Sequence, residues 1–448
     1  MKSTSEPSRG NGDAGITHIF RTLRYRNFRL FFGGQLISLV GTWMQQLAVT
    51  WLVYRLTNSA FLLGAVGFIS QLPSFLLTTF AGVLADRFNR HRMVIMTQVL
   101  AMIQATILAV LTLTGVITIW EIVALMIFLG CINAFDIPTR QSFLLEMVEN
   151  KEDLGNAIAL NSSMFNGARL LGPSIAGLVI AAIGEGLCFL LNALSFIAVI
   201  AALLAMKLPI REKPKPRHGV LKGFKEGLRY VATFTPIKYI LMNLALVSFM
   251  GMPYVVLMPI FAKDILHGGP NTLGFLMGAI GVGALSGAVF LASRKSAVGL
   301  GKWIPIAATI FGTGLGVFSF SHFQWLSLMV LPFVGFGMMV QMAASNTMLQ
   351  TIVDDDKRGR VMSFYTMAFA GTMPFGSLFA GSLASKIGAP HTLLISGVAC
   401  IVGAIFFATK LPEIRKEIRP IYRKIGLIPN IPDSYEDPTP VSLPPEMD

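Results

Sequence analysis

Twelve stretches of this chain are too long and too apolar for a water-soluble fold. Crossing a hydrocarbon core of about 30 Å takes about 20 mostly apolar helical residues. Runs of that kind cover Phe28–Tyr54, Phe61–Ala85, Met93–Leu113, Ile117–Phe135, Ala157–Ile183, Leu187–Met206, Ile237–Phe261, Leu273–Ala292, Trp303–Phe320, Trp325–Leu349, Val361–Lys386 and Pro390–Thr409. The apolar residues are continuous and do not alternate every second position, which selects helices over a barrel. Apolar residues make up 54% of the chain and charged residues 13%, against about 25% charged in a soluble domain.

The charges decide the orientation. With the N-terminus placed in the cytoplasm, thirty-two of the 36 Lys and Arg fall on the cytoplasmic side and three, Arg55, Lys263 and Lys386, fall outside. Cytoplasmic loops carry such an excess, and one missed span would destroy it. Both termini are therefore expected in the cytoplasm, with the chain in the inner (plasma) membrane. The net charge of +13 is spread over short segments between apolar runs, so it points to anionic lipid and not to nucleic acid. The first thirty residues are polar and basic, and the first run is longer than a signal h-region, so it is expected to remain as a helix.

The chain repeats itself at a constant offset. Gly155, Gly167, Gly172, Gly177 and Gly184 align with Gly359, Gly371, Gly376, Gly381 and Gly388, and Phe165, Ala176 and Ile183 with Phe369, Ala380 and Ile387. Parallel repeats of this size mark transporters built from two six-helix halves. The expected fold is an all-α membrane protein of twelve transmembrane helices in two six-helix halves. Residues 1–27 form an N-terminal tail, 28–206 the first bundle, 207–236 a basic linker, 237–410 the second bundle and 411–448 a proline-rich tail. Within the linker, Val220–Val231 is expected to lie on the inner leaflet as a basic amphipathic helix. In the tail, Arg415 to Lys424 is expected to lie on the anionic surface, followed by a disordered acidic end.

Between the second and third runs stand Gly82, Asp86, Arg87, Asn89, Arg90 and Arg92. This stretch resembles the signature loop of the major facilitator superfamily, with Asn89 where the family usually has Gly. Asn is the next most tolerant residue of a left-handed backbone, so the turn is expected to be kept. Asp86 is expected to close the cytoplasmic mouth by holding a helix N-terminus or an arginine of the other half, with Gly82, Arg87, Arg90 and Arg92 completing the gating motif or anchoring the loop to lipid. Trp43-Met44-Gln45-Gln46 and Asp136-Ile137-Pro138-Thr139-Arg140-Gln141 resemble the subgroup of bacterial siderophore exporters and macrolide efflux pumps. Gly167, Gly172, Pro173 and Gly177 resemble the Gly-Pro motif of antiporters, and close helix packing explains them equally well. The arginine that drug/proton antiporters carry in the fourth helix is absent here, so the resemblance alone does not carry their proton-relay role over to this chain. The resemblance implies a monomeric transporter that works by alternating access.

Polar residues inside spans are costly and default to functional candidates. Gln35, Ser38, Thr42 and Gln45 recur at helical spacing and are expected to face inward, lining a cavity or bonding neighbouring helices. Arg169, with Ser162 and Asn166, forms a second stripe; it is expected either to bind an anionic cargo group or to pair with Asp136. Asn133, Asn243, Gln341 and Asn346 complete the expected substrate contacts. Asp136 and Glu121 are the candidates for carrying a coupling proton. Cys131, Cys188 and Cys400 read as core residues. No nucleotide loop, catalytic triad, metal-ligand spacing or cofactor motif is seen, which argues against an enzyme. The expected function is proton-driven export of small amphipathic or hydrophobic compounds. Uptake or lipid translocation by the same fold is the first rival, and a non-transporting receptor or scaffold the second.

Overall fold

A computed structural model describes residues 20–85, 88–148, 150, 153–207, 228–294 and 296–427. It contains twelve helices long and apolar enough to cross a bilayer. They are α1 (Arg26–Thr57), α2 (Ala60–Ala85), α3 (Arg90–Leu113), α4 (Ile119–Leu144), α5 (Leu154–Ile183), α6 (Glu185–Leu204), α7 (Thr235–Ile265), α8 (Pro270–Ala292), α9 (Leu300–Ser319), α10 (Gln324–Ile352), α11 (Lys357–Ile387) and α12 (Ala389–Lys424). With an even number of spans, the start of α1 and the end of α12 lie at one end of the bundle, here the basic end. Exposed Val110, Leu178, Val282, Phe333 and Val402 form the lipid-facing belt, and Trp120 and Trp325, 76% and 60% exposed, stand at the opposite rim, where amphipathic rings settle at the headgroups.

Four helices depart from a simple span. Helix α4 runs nine residues past the expected Phe135, through Pro138, because α3 supplies hydrogen-bond partners to its polar last turns. Helix α12 continues fifteen residues past Thr409 to Lys424, so the segment Arg415 to Lys424 is not a surface-bound tail. Its Leu411, Ile414, Ile418 and Tyr422 recur at helical spacing and join a core with Ile237, Leu300, Met348 and Val361, leaving Arg415, Lys416 and Arg419 on the other face. Helix α7 carries π-helical turns at Val247–Gly251 and Phe261–Ile265, and α11 one at Met367–Gly371. Pro253 and Pro374 follow two of these turns and donate no backbone hydrogen bond. The hydroxyl of Ser248 donates to the Phe369 carbonyl at 2.5 Å, tying those two turns together.

The core is divided unequally along the membrane normal. At the basic end each half has its own cluster, one built on Phe28, Val94, Leu144 and Leu203, the other on Ile237, Leu300 and Val361. Toward the far end a single cluster runs through both halves, from Leu52, Leu63 and Ile180 to Leu257, Leu273 and Ala384. The two halves are thus welded at one end only.

Residues 228–233 of the linker are helical; the rest of the expected Val220–Val231 helix lies outside the described residues, as do residues 1–19 and the acidic end of the tail. Before α1, a short 3-10 turn at Phe20–Arg24 docks on the start of α5. There Arg24 donates to the fully buried Asp153 at 2.9 Å and the Tyr25 hydroxyl donates to it at 2.7 Å. Cys188 and Cys400 are buried and Cys131 half-buried, all three as free thiols.

Candidate functional site

Two helix pairs carry the junction between the halves, and both cross on glycine. A Cβ placed on Gly177 of α5 would lie 2.7 Å from the Cα of Gly274 in α8. One placed on Gly381 of α11 would lie 2.6 Å from the Cα of Gly64 in α2. Gly177 and Gly381 are repeat equivalents, so the duplicated sequence places the same backbone-to-backbone contact in both halves. Gly184 and Gly388 are equivalents too, with φ of +84° and +85° where α5 and α11 end, a region that disfavours a side chain. The partner glycines Gly64 and Gly274 were not singled out from the sequence. Ala60 and Gly64, and Gly274 and Gly278, carry the small-xxx-small spacing that permits such approach.

Polar contacts across the halves reinforce the far rim. The Tyr54 hydroxyl of α1 donates to Asp264 at the end of α7, and Lys263 donates to Asn58 at 2.6 Å while its ammonium sits 5.4 Å from the Tyr54 ring. A cavity of about 390 Å³ opens beside this contact, among Asn58, Ala60, Ile260 and Ser385. Nothing in hydropathy pairs Asp264 with a tyrosine 210 residues away.

Inward of the glycine crossings lies Arg169, at the middle of α5. The expected pairing with Asp136 does not form. Asp136 instead accepts from Thr97 and Gln98 of α3, both at 2.8 Å, and from Arg140 at 3.1 Å one turn further along α4. Arg169 stacks over Trp43 of α1 at 5.7 Å and reaches the Met338 sulfur of α10, across the halves, at 3.6 Å. Among the described residues it has no carboxylate partner. An arginine at the centre of a span costs about 2.5–3.5 kcal/mol even on insertion scales, and a cation–π contact offsets about 0.5–2 kcal/mol of that.

The other expected contacts separate into two groups. Gln35, Gln45, Asn243 and Gln341 are buried, whereas Thr42 is exposed and Asn133, Asn166 and Asn346 are half-exposed. The amide of Gln45 is taken at both ends inside the first half, donating to Gln104 of α3 and accepting from Asn192 of α6 at 2.9 and 2.7 Å. Asn166 donates to the Ser162 carbonyl at 2.9 Å, and Asn346 accepts from Gln350. Among the described residues, Asn243 has neither amide atom paired, and Gln341 leaves its amide nitrogen unpaired. Glu121 closes a capping box with Thr118 at the start of α4, accepting from the Thr118 backbone at 3.0 Å, a standard way to satisfy a helix N-terminus.

Asp86 and Arg87 of the signature loop lie outside the described residues, and Gly82 lies in the last turns of α2. Arg90 is held by Glu146 of the same half at 2.7 Å. The expected left-handed turn at Asn89 is not present: its φ is −70°, and its side chain accepts from the Arg92 backbone N–H at 3.1 Å as the N-cap of α3. Asn replaces Gly here as a cap, which needs a side-chain oxygen, and not as a residue with φ > 0. Asn89→Ala is accordingly expected to cost about 1 kcal/mol and Asn89→Gly only a few tenths, read as the order of thermal unfolding temperatures of the purified variants.

With this geometry in view, the chain matches the sequence profile described as transmembrane secretion effector across residues 17–424. It is 25% identical to the staphyloferrin A transporter of Staphylococcus aureus, over 87% of this chain and 98% of that protein. It is 27% identical to the multidrug efflux pump Tap of Mycolicibacterium fortuitum, over 82% and 91% of the two chains. It is 22% identical to macrolide efflux protein A of Streptococcus pyogenes, over 88% and 98%. In fold it resembles a bacterial homologue of the human lysosomal transporter Spinster, with a TM-score of 0.67, 13% identity and 88% and 98% of the chains covered. It likewise resembles a bacterial homologue of the iron transporter ferroportin, with a TM-score of 0.65, 17% identity and 86% and 98% covered.

Proposed function

The chain belongs to the transmembrane secretion effector family of the major facilitator superfamily, a family of transporters and not of enzymes, and from that premise we propose that it exports small amphipathic compounds by alternating access, driven by the proton gradient. The observation that carries this reading is the one-sided weld: one core crosses both halves at the far end, and two separate cores stand at the basic end. Two rigid halves hinged in this way present a central site to one side at a time. The basic end faces the cytoplasm on the positive-inside argument, so this conformation is the inward-facing one, ready to load cargo from the cytoplasm or the inner leaflet. Relatives named as efflux proteins support export over uptake.

Asp136 is the group proposed to take the coupling proton. It is 5% exposed and holds Arg140, so protonation would free that arginine. Glu121 is the second candidate. Asp86 is proposed to lock the cytoplasmic mouth in the opposite conformation, and Asp86→Asn is expected to leave insertion normal while slowing transport; normal transport at normal expression would reject the lock. The direct test of function is accumulation of a fluorescent amphipathic dye in cells expressing the protein. Lower accumulation that a protonophore abolishes supports energised export. Dye accumulation unaffected by expression, together with cargo-dependent growth, would replace export by uptake.

A further inference from the structure

We infer that the cargo carries a carboxylate, and that Arg169 and the Tyr254 hydroxyl bind it at the inner edge of the closed junction. This deepens the transport reading above and rests on it.

The argument starts from groups left without partners. Tyr254 of α7 is 1% exposed and its hydroxyl has no hydrogen-bond partner among the described residues. Such a group is rarely left unpaired unless something else satisfies it. The Tyr254 ring packs on Phe311 of α9 at 6.1 Å, and a Cβ on Gly337, the residue before Met338, would lie 3.0 Å from the Phe311 Cα, so Tyr254 stands at the level of α10 that Arg169 reaches across the halves. Gln341, one turn from Met338 on the same face of α10, is 1% exposed and adds a second unpartnered donor. A cation and two donors, with no carboxylate among the described residues to answer them, form a site for an anion.

Position fixes what kind of anion. Arg169, Trp43 and Met338 each stand near the middle of their helices. Leu170, the next residue after Arg169, meets Gly281 of α8, where a Cβ would lie 2.6 Å away. Arg169 therefore stands where the α5–α8 contact ends and the separated halves begin. A planar guanidinium backed by an indole presents its remaining donors as a fork that fits a carboxylate. One cation matches one negative charge, whereas a phosphate dianion would call for a second. Trp43, Phe165 and Met338 supply an apolar, adaptable wall for the body of the molecule, with the two rings 5.6 Å apart. The ligand class is a small amphipathic monocarboxylate.

The experiment uses the purified full-length protein and two probes, 4-(1-pyrenyl)butyrate and its uncharged methyl ester, with binding read as quenching of tryptophan emission. The acid is expected to bind at least about tenfold more tightly than the ester, and Arg169→Gln to erase that difference by weakening the acid alone. Equal binding of acid and ester, binding of neither, or an equal loss for both in Arg169→Gln would overturn the inference. A second variant separates ligand binding from structure. If Arg169 serves a ligand, Arg169→Met removes an unpaired charge, and the ligand-free protein melts at or above the wild-type temperature. If Arg169 holds the halves together, the variant melts lower, and the inference falls. Energised dye efflux without any acid preference would end this proposal and leave export standing. Acid-selective binding without energised efflux would do the reverse.

Discussion

Gly381→Leu is expected to arrest transport while leaving the protein folded and in the membrane. The residue meets backbone, not side chain: the Gly64 Cα would lie 2.6 Å from a Cβ and the Ala60 carbonyl oxygen 2.7 Å. No rotamer change can relieve that contact, so α2 and α11 must separate. Overpacking of this kind costs about 1–3 kcal/mol or more, and it is incurred only in the conformation closed at the far end. At about 1.4 kcal/mol per tenfold, the conformational equilibrium moves by about one to two orders of magnitude toward the open-outward state. Gly177→Leu should act in the same way through Gly274. The measurement is labelling by an impermeant maleimide at Ser385→Cys, beside the far-end cavity, together with the transport rate. Labelling rises and transport falls by about tenfold or more. Gly155→Leu and Gly359→Leu provide the control within the same repeat, since a Cβ at either meets nothing within 4 Å. If all four variants transported alike, the glycine crossings would not be the moving contact.

The spans were legible because a bilayer imposes one length and one polarity on a helix. Where that template stops applying, hydropathy no longer marks a helix end. Hydropathy ends α12 at Thr409, although Ile414, Ile418 and Tyr422 continue the apolar stripe against protein rather than lipid. It ends α4 at Phe135, although Thr97 and Gln98 satisfy the polar residue that follows. Spacing identified the polar face of α1 but not its neighbours: Gln45 bonds α3 and α6 inside its own half. The repeat pointed to Gly177 and Gly381 as equivalents, and the crossing partners Gly64 and Gly274 required three dimensions. Arg169 stood out because a charge in lipid is expensive at any orientation. That it reaches Met338 and, among the described residues, no carboxylate depends on where α10 sits, which no local pattern encodes.

Asp136→Asn should uncouple transport from the proton gradient and destabilise the protein, and the two effects should separate in a double variant. The substitution copies the protonated side chain. It withdraws the charge that answers Arg140, whose side chain is only 19% exposed, and turns an amide N–H₂ toward a guanidinium donor. Removing one member of a buried pair costs about 3–5 kcal/mol, and partial exposure of Arg140 places this case at or below the lower end. Arg140→Gln in the same chain removes the stranded cation, so most of that loss should return; the recovery measures the coupling between the two residues. Thermal unfolding of the two single variants and the double variant gives the number. Coupling behaves differently: with no titratable group left at position 136, the double variant should regain stability and still move cargo without responding to a protonophore. An Asp136→Asn protein whose efflux collapses with the gradient as the wild type's does would remove Asp136 from the proton path. The carboxylate would then be a structural anchor between α3 and α4, and Glu121 the next residue to test.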